Sequence, residues 1–453
     1  MIHSADVPFT RGRYDDPSST DSLGRAIDPI KQVRLNLTPI TRMLRKTVLL
    51  IAALLLSMLT SLPALAQDKV WLTLDQAMER ARSYAPSVVE SEGAVRVAQT
   101  AEVGARLPSF GNPYLEVTTG RQRLAQLEVE GKLYLPWEVN GQRSARISEA
   151  GNLVRWRKLT ERDSRARVTG EAVSAWGTVV VAAARVEQAT KAEQEARKEA
   201  QWVASRHEMS AATLVERNFA QSETVRWAQA RAEAQLQLQY AQARLAQLTA
   251  VAVIGLPDST QSATVPQMKI NSEQNLVRRA LEGSALLKAY EAEASFWRAS
   301  AERATRDRNP PVSLVLSGGR GDLGEPRVSG GLAWSIPALR RNQGEIARTE
   351  AERVRAESMR TSTRGALEAR VRGDWQVYQT ATQALQYVDT SGLPATEQLV
   401  EAANTAWRAG KGELVQVLIA RRDLAAARVR RLDLIETAWR AYGDIVGIMG
   451  ELP

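Results

Sequence analysis

The chain has 453 residues, with 60 Lys and Arg against 51 Asp and Glu for a formal net charge of +9, and it contains no cysteine. Disulfide scaffolds are therefore excluded, and so is a lipid anchor on cysteine, which leaves packing or assembly as the source of stability. Arg and Glu interleave along the chain instead of clustering, which argues against a nucleic-acid-binding face.

Residues 1–42 are polar and mixed in charge, and they read as a non-native extension upstream of a start at Met43. Residues 43–66 read as a secretory signal peptide: Arg45 and Lys46, the apolar run Val48 to Leu56, then Ala64-Leu65-Ala66 as the cleavage site. Beyond Ala66 the charge balance is 52 Lys/Arg to 46 Asp/Glu, or +6. No apolar run after Gln67 is long enough for a membrane helix, so entry into a membrane requires a closed β-barrel.

The exported part repeats itself. Pro136 and Pro337 lie 201 apart, as do Ala150 and Ala351; Leu214-Val215 and Leu414-Val415 lie 200 apart, and Asn112-Pro113 matches Asn309-Pro310. The reading is a first structural repeat over 67–257, a linker over 258–272 and a second repeat over 273–453. Two units of this size make a pseudo-twofold protomer, not a solenoid.

Each repeat is expected to hold a helix, two strands and a long helical hairpin. The first helix is predicted over Thr73–Arg106, with Thr73 and Gln76 as a capping box, and its counterpart starts at Asn271 or Ser272. Strand periodicity follows. Leu127, Val129, Gly131, Leu133 and Leu135 alternate with Glu128, Glu130, Lys132 and Tyr134, and Val328 to Ile336 and Val312 to Ser317 alternate likewise. Tyr114 to Thr119 is a weaker fourth case. A sheet on a soluble core gives the same alternation, but strands of this length with one apolar face fit a membrane barrel. Four strands do not close one, so copies must share it. The loops Gly120–Gln126 and Gly318–Arg327 are expected to face outward, with Tyr134, Trp137 and Trp334 as an aromatic girdle.

Gln142 to His207 lacks proline and is rich in Ala, Arg, Glu and Gln, so it is predicted as one helix of roughly 100 Å. Ala166, Thr169, Val173, Trp176, Val180 and Ala183 form a seam at helical spacing, as do Ala425, Val429, Leu432, Ile435, Trp439, Tyr442 and Val446. Pro394 is expected to kink or interrupt the second long helix. His207 is the single histidine after the leader, and without cysteine it cannot complete a metal site or a catalytic triad. No phosphate-binding glycine loop is present either, so no catalytic residue, cofactor or metal ligand is assigned.

Several motifs, in order and in both halves, carry a family resemblance. They are Leu72-Thr73-Leu74-Asp75-Gln76-Ala77; Gly104-Ala105-Arg106-Leu107-Pro108 leading to Asn112-Pro113; and Leu135-Pro136-Trp137-Glu138 with Gly141-Gln142-Arg143-Ser144-Ala145-Arg146. Ile336-Pro337 with Arg341-Asn342-Gln343-Gly344-Glu345-Ile346-Ala347 and the turn Ala409-Gly410-Lys411-Gly412-Glu413-Leu414 complete the set. Over Leu72–Leu452 the chain resembles the TolC family of outer-membrane efflux channels, in its cation and heavy-metal branch.

That resemblance implies a mixed α/β membrane protein of a Gram-negative bacterium. The duplicated protomer would assemble as a homotrimer, with a 12-stranded outer-membrane β-barrel above a long periplasmic α-helical coiled-coil tunnel. It implies a passive exit channel and no enzyme, working with a periplasmic adaptor (membrane fusion protein) and an inner-membrane resistance-nodulation-division (RND) pump, with outer-membrane lipid around it. Adaptor docking would fall on the tips at Ser210, Ala211 and Thr213 and at Gly410, Lys411, Gly412 and Glu413. An acidic aperture ring would fall on Glu216, whereas the matching position is Gln416, with Ile419 one turn on. Two other readings stay open: a channel of the same fold serving type I protein secretion or drug efflux, and a soluble periplasmic coiled-coil scaffold.

Overall fold

A computed structural model describes residues 71–107, 111–121, 127–252, 254–255, 263–320 and 324–453. The readings of 1–42 and 43–66, and the tips of both strand loops, lie outside the described residues.

The chain opens with α1 (Leu74–Tyr84), capped as the sequence predicts: the Gln76 amide donates to Thr73 Oγ1 at 3.3 Å, and the Thr73 amide donates to Gln76 Oε1 at 3.0 Å. The predicted single helix over Thr73–Arg106 is instead two, since α2 runs Pro86–Ala105 after an extended Ala85 (φ −61°, ψ 136°). Proline disfavours helical backbone in the residue before it and is itself suited to a first helical turn, so Pro86 ends one helix and starts the next. The second half breaks at the equivalent point without proline. There α5 (Glu273–Gly283) gives way to α6 (Ala285–Arg306), and Ser284 Oγ accepts from the Leu287 amide at 3.3 Å.

Between these helices lie β1 (Tyr114–Arg121) and β2 (Leu127–Trp137), and after α6 come β3 (Val312–Arg320) and β4 (Pro326–Trp334). The strands form one antiparallel sheet in the order β1-β2-β3-β4. The strands run further into the loops than expected: Gly318, Gly319 and Arg320 pair with Val328, Arg327 and Pro326. Pro326 sits at the first residue of a sheet-edge strand, where the lack of an N–H is tolerated.

The long helices are α3 (Gln142–Glu208), α4 (Leu214–Thr249), α7 (Gln343–Tyr387), α8 (Leu393–Arg408) and α9 (Leu414–Met449). At 67 residues α3 is roughly 100 Å long, as predicted. Near the sheet α3 packs between α2 and α6, with α7 beyond α6; farther along, it packs between α4 and α9. Pro394 does not break the second hairpin. A π-helical turn, Val388–Gly392, precedes it and joins α7 to α8, so the surplus residue absorbs the missing amide of proline. Arg431 Nε donates to Asp389 Oδ1 at 2.6 Å and pins the turn to α9.

Both predicted seams are largely buried. Thr169, Val173, Val180, Leu432, Ile435, Trp439, Tyr442 and Val446 lie in the core, whereas Val429 is 45% exposed beside a cavity. Where α3 crosses α9, the backbones meet at glycine. A Cβ added to Gly443 would lie 2.7 Å from the Gly170 carbonyl oxygen, and one on Gly170 would lie 2.5 Å from the Gly447 nitrogen. Trp439 fills the next layer against Gly177 and packs on Trp176 with ring centroids 5.2 Å apart. The segment before α5 is stitched on by ring donors and acceptors: Trp439 Nε1 donates to the Thr264 carbonyl at 2.8 Å, and Tyr378 Oη donates to that of Pro266 at 2.6 Å.

One carboxylate in this framework is poorly served. Asp374 Oδ2 is buried without a hydrogen bond, and its salt-bridge partner Arg370 stays 3.8 Å away. Burial first and the Asp444 carboxylate second push its pKa up to about 6, with Arg370 opposing. The folded chain thus holds this proton more tightly than the unfolded chain does. The contribution of this one group to stability is therefore fully present below about pH 4 and is lost as pH rises from about 4 to about 6. Asp374→Asn is expected to stabilise by about 2 kcal/mol at pH 7.5 and by little at pH 4, read from thermal unfolding at both values.

Candidate functional site: an apolar sheet face and two helical tips

The register of the sheet sorts its side chains by polarity. Leu133 pairs with Leu115 and Leu316, Leu135 with Leu314, Leu314 with Leu332, and Trp137 with Val312, which in turn pairs with Trp334. Side chains on directly paired residues share a face, so these residues form one apolar surface across all four strands. The other face carries Glu116, Thr118, Glu130, Lys132, Ser313, Ser317 and Ser329, with Ser317 Oγ and Ser329 Oγ 2.6 Å apart.

Among the described residues no helix packs broadly over either face. Leu115, Val117, Val328 and Leu332 are 61–89% exposed, although they are the most apolar part of the sheet. An uncovered apolar patch of this kind marks a contact with lipid or with another protein. Among the described residues nothing pairs with the outer edges of β1 and β4, which offer main-chain donors and acceptors to a neighbour.

The predicted girdle residues lie at the helix-side end of the sheet. Tyr134 stacks on Tyr114 with centroids 4.3 Å apart, and Trp137 and Trp334 end their strands at 71% and 55% exposure. Tyr134 is on the polar face with Glu116, whose carboxylate accepts from its hydroxyl at 3.0 Å; Trp137 and Trp334 are on the apolar face.

At the far end the two hairpin turns share one geometry. The Ala211 amide donates to the Arg206 carbonyl at 2.7 Å and that of Ser210 to His207 at 2.9 Å; 200 residues later Lys411 donates to Ala406 at 2.9 Å and Gly410 to Trp407 at 3.0 Å. Both turns pass through left-handed backbone, Gly410 at φ 71° and Ser210 at φ 57°. Gly412 is held against Ala406, and a Cβ there would lie 3.2 Å from the Ala406 Cβ. The predicted docking residues Ser210, Ala211, Thr213, Gly410, Lys411 and Glu413 are all exposed at these turns, and Gly412 is half-buried.

Glu216 and Gln416 differ in more than charge. Glu216 Oε2 accepts from the Thr213 amide at 2.8 Å and from Thr213 Oγ1 at 2.9 Å, closing a capping box at the start of α4. Glu413, the residue before α9, makes no side-chain cap, and Gln416 is exposed. His207 Nδ1 lies 2.8 Å from the Ala212 carbonyl oxygen, so it braces the first turn.

Sequence reasoning missed what joins the two hairpins just behind the tips. Trp202 and Trp407 meet edge to face with centroids 4.7 Å apart, over Val203, Ala220, Leu414 and Leu418. Glu199 and Glu223, both buried, pair with Arg421 and Arg422. Burial raises the pKa of Glu199 despite Arg421. Partners 199 to 222 residues apart leave no local signal. Among the described residues no group of three or more His, Cys, Asp or Glu is placed to hold a metal ion.

Residues 276–451 match the family model described as outer membrane efflux protein. The chain is 26% identical over 347 residues to the cobalt-zinc-cadmium resistance protein CzcC of Cupriavidus metallidurans, which spans 75% of this chain and 81% of that one. Its fold is similar to the crystal structure of CusC, with a TM-score of 0.68 at 14% identity over 84% of this chain and 95% of that one. VceC of Vibrio cholerae gives a TM-score of 0.66 at 15% identity over 84% and 97%.

Proposed function

We infer that this chain, whose residues 276–451 match the outer membrane efflux protein family, is the exit channel of a tripartite efflux system. It is an outer-membrane channel of a Gram-negative bacterium and not an enzyme. The observation that carries the finer reading is the uncovered apolar sheet face with two unpaired edges. Edge-to-edge joining of three copies gives 12 strands, above the eight or so that a barrel needs, and leaves no edge open. The apolar face then meets lipid, with Trp137 and Trp334 near its boundary, and the polar face lines the pore. At about 3.3 Å per residue, β2 to β4, with 9 to 11 residues, match a tilted crossing of the bilayer, and β1 with 8 is one residue shorter.

The helices continue as a tunnel of twelve from three chains, and the tips at Ser210–Thr213 and Gly410–Glu413 dock a periplasmic adaptor that links to an RND pump. Conduction is passive and driven by that pump. Metal cations are the cargo, a reading supported by the resistance protein to which this chain is 26% identical. Deleting the gene is expected to lower tolerance to cobalt, zinc and cadmium while leaving that to dyes unchanged. Unchanged metal tolerance would overturn the cargo assignment.

Glu216 is proposed as the aperture acid. With Thr213 it also caps α4, so the two roles separate by substitution. Glu216→Gln keeps an acceptor for the Thr213 amide and costs the fold under about 1 kcal/mol. It is expected to reduce cation over anion selectivity in planar bilayers, and unchanged selectivity would remove the residue from the pore.

A further inference from the structure

A groove between α3 and α6 holds a concentration of positive charge that the channel reading does not use. It forms an open cleft of about 630 Å³, with Arg155, Lys158 and Arg162 on one wall and Lys288 on the other, all four exposed. The three α3 residues sit at i, i+3 and i+7, so they form one stripe along a single face. Among the described residues none of the four makes a salt bridge, whereas several arginines of the neighbouring surface do: Arg165 with Glu92 and Glu161, Arg303 with Glu149, and Arg353 with Glu350. The lone acid of the lining, Glu291, is drawn toward Arg360 at 3.6 Å. Val154 and Leu159 supply an apolar floor.

Four like charges facing one cavity repel one another, and a chain under selection for stability alone would intersperse acids, as it does elsewhere on the same helices. We propose that the groove binds a soluble multivalent oxyanion, of the phosphate or polyphosphate class. Arginine forks and the two ammonium groups match several oxyanion oxygens at once. In the proposed trimer the groove stays open, because α3 and α6 are the inner pair of the layer α2-α3-α6-α7, away from the edges at which copies would join.

Position separates the two sources of phosphate. Arg155 and Arg162 lie 13 and 20 residues past the start of α3 at Gln142, about 20 and 30 Å along the helix from the sheet. Lipid headgroups at the sheet boundary therefore do not reach the groove, and the ligand comes from solution. That exclusion rests on the membrane placement of the sheet, whereas anion binding does not.

The test is calorimetric titration of the detergent-solubilised full chain with tripolyphosphate at 0.15 M salt. Saturable binding is expected, weakened at least tenfold in Arg155→Gln/Arg162→Gln and severalfold in Lys288→Gln, with the helical circular dichroism unchanged. Binding is also expected to weaken steeply as salt rises from 0.05 to 0.5 M. No heat of binding in the wild type, or equal affinity in both variants, would overturn the proposal. Binding only to vesicles carrying phosphorylated lipid, with none to soluble tripolyphosphate, would overturn the soluble source. Each outcome is independent of conductance and of metal tolerance, so failure here leaves the channel reading standing.

Discussion

Gly443→Val is expected to eliminate the folded channel. At the crossing of α3 and α9 a Cβ on Gly443 would stand 2.7 Å from the Gly170 carbonyl oxygen and 3.0 Å from the Ser174 nitrogen, and both are backbone atoms of a helix that cannot rotate away. The two helices would have to separate, which opens the layer of Trp176, Trp439 and Tyr442 next to them. Ordinary overpacking costs about 1–3 kcal/mol, and the loss of that layer takes the expected cost beyond about 4 kcal/mol. Gly365, also inside a long helix, has nothing within 4 Å of an added Cβ. Gly365→Ala is expected to stabilise by about 0.5–1 kcal/mol through helix propensity. Thermal unfolding of the two variants reads opposite signs from one residue type, and a stable Gly443→Val chain would show that the crossing tolerates a wider spacing.

The second large effect concerns the sheet. Leu316 lies mid-strand on the apolar face, opposite Leu133, and Ser317 next to it lies on the polar face, opposite Lys132. Arginine at a lipid-facing mid-bilayer position costs about 2–4 kcal/mol, whereas a pore-facing position is wet. Leu316→Arg is therefore expected to reduce insertion and assembly by that amount, and Ser317→Arg to leave them nearly unchanged while altering ion selectivity. Equal penalties for both would mean that the faces are not divided between lipid and water.

The parts of this molecule that were legible in the sequence are those with short-range periodicity. The alternation of Leu127 to Leu135 locates β2, because a strand exposes its faces at a period of two. The proline-free run from Gln142 locates α3, and Thr73 with Gln76 locates the first cap. The break at Ala85 was also written there, in Pro86, yet the continuous helical pattern on both sides conceals it. Ser284 carries no such mark, and a serine cap is one weak signal among many.

What the sequence hides is long-range. Gly170 and Gly443 are unremarkable helix-interior glycines until the chain brings them together. Trp202 and Trp407, or Glu223 and Arg422, have no reason to be paired in advance. Pro394 was visible as a conflict, but its resolution by a π-helical turn depends on α9 holding Asp389 through Arg431. At the tips Gly410 takes a left-handed backbone that glycine adopts freely; that Ser210 takes the same backbone shows the turn imposing its geometry on a residue that disfavours it.

In the proposed channel three copies close a single barrel by joining β1 of one to β4 of the next. Because the chain has no cysteine, introduced pairs report that contact alone. Thr118→Cys combined in turn with Ser329→Cys and with Gly331→Cys, oxidised in outer membranes and separated by mass without reductant, is expected to give dimers and then a covalent trimer as the limiting species. Monomers alone, or a ladder that runs past three chains, would contradict the closed trimeric barrel.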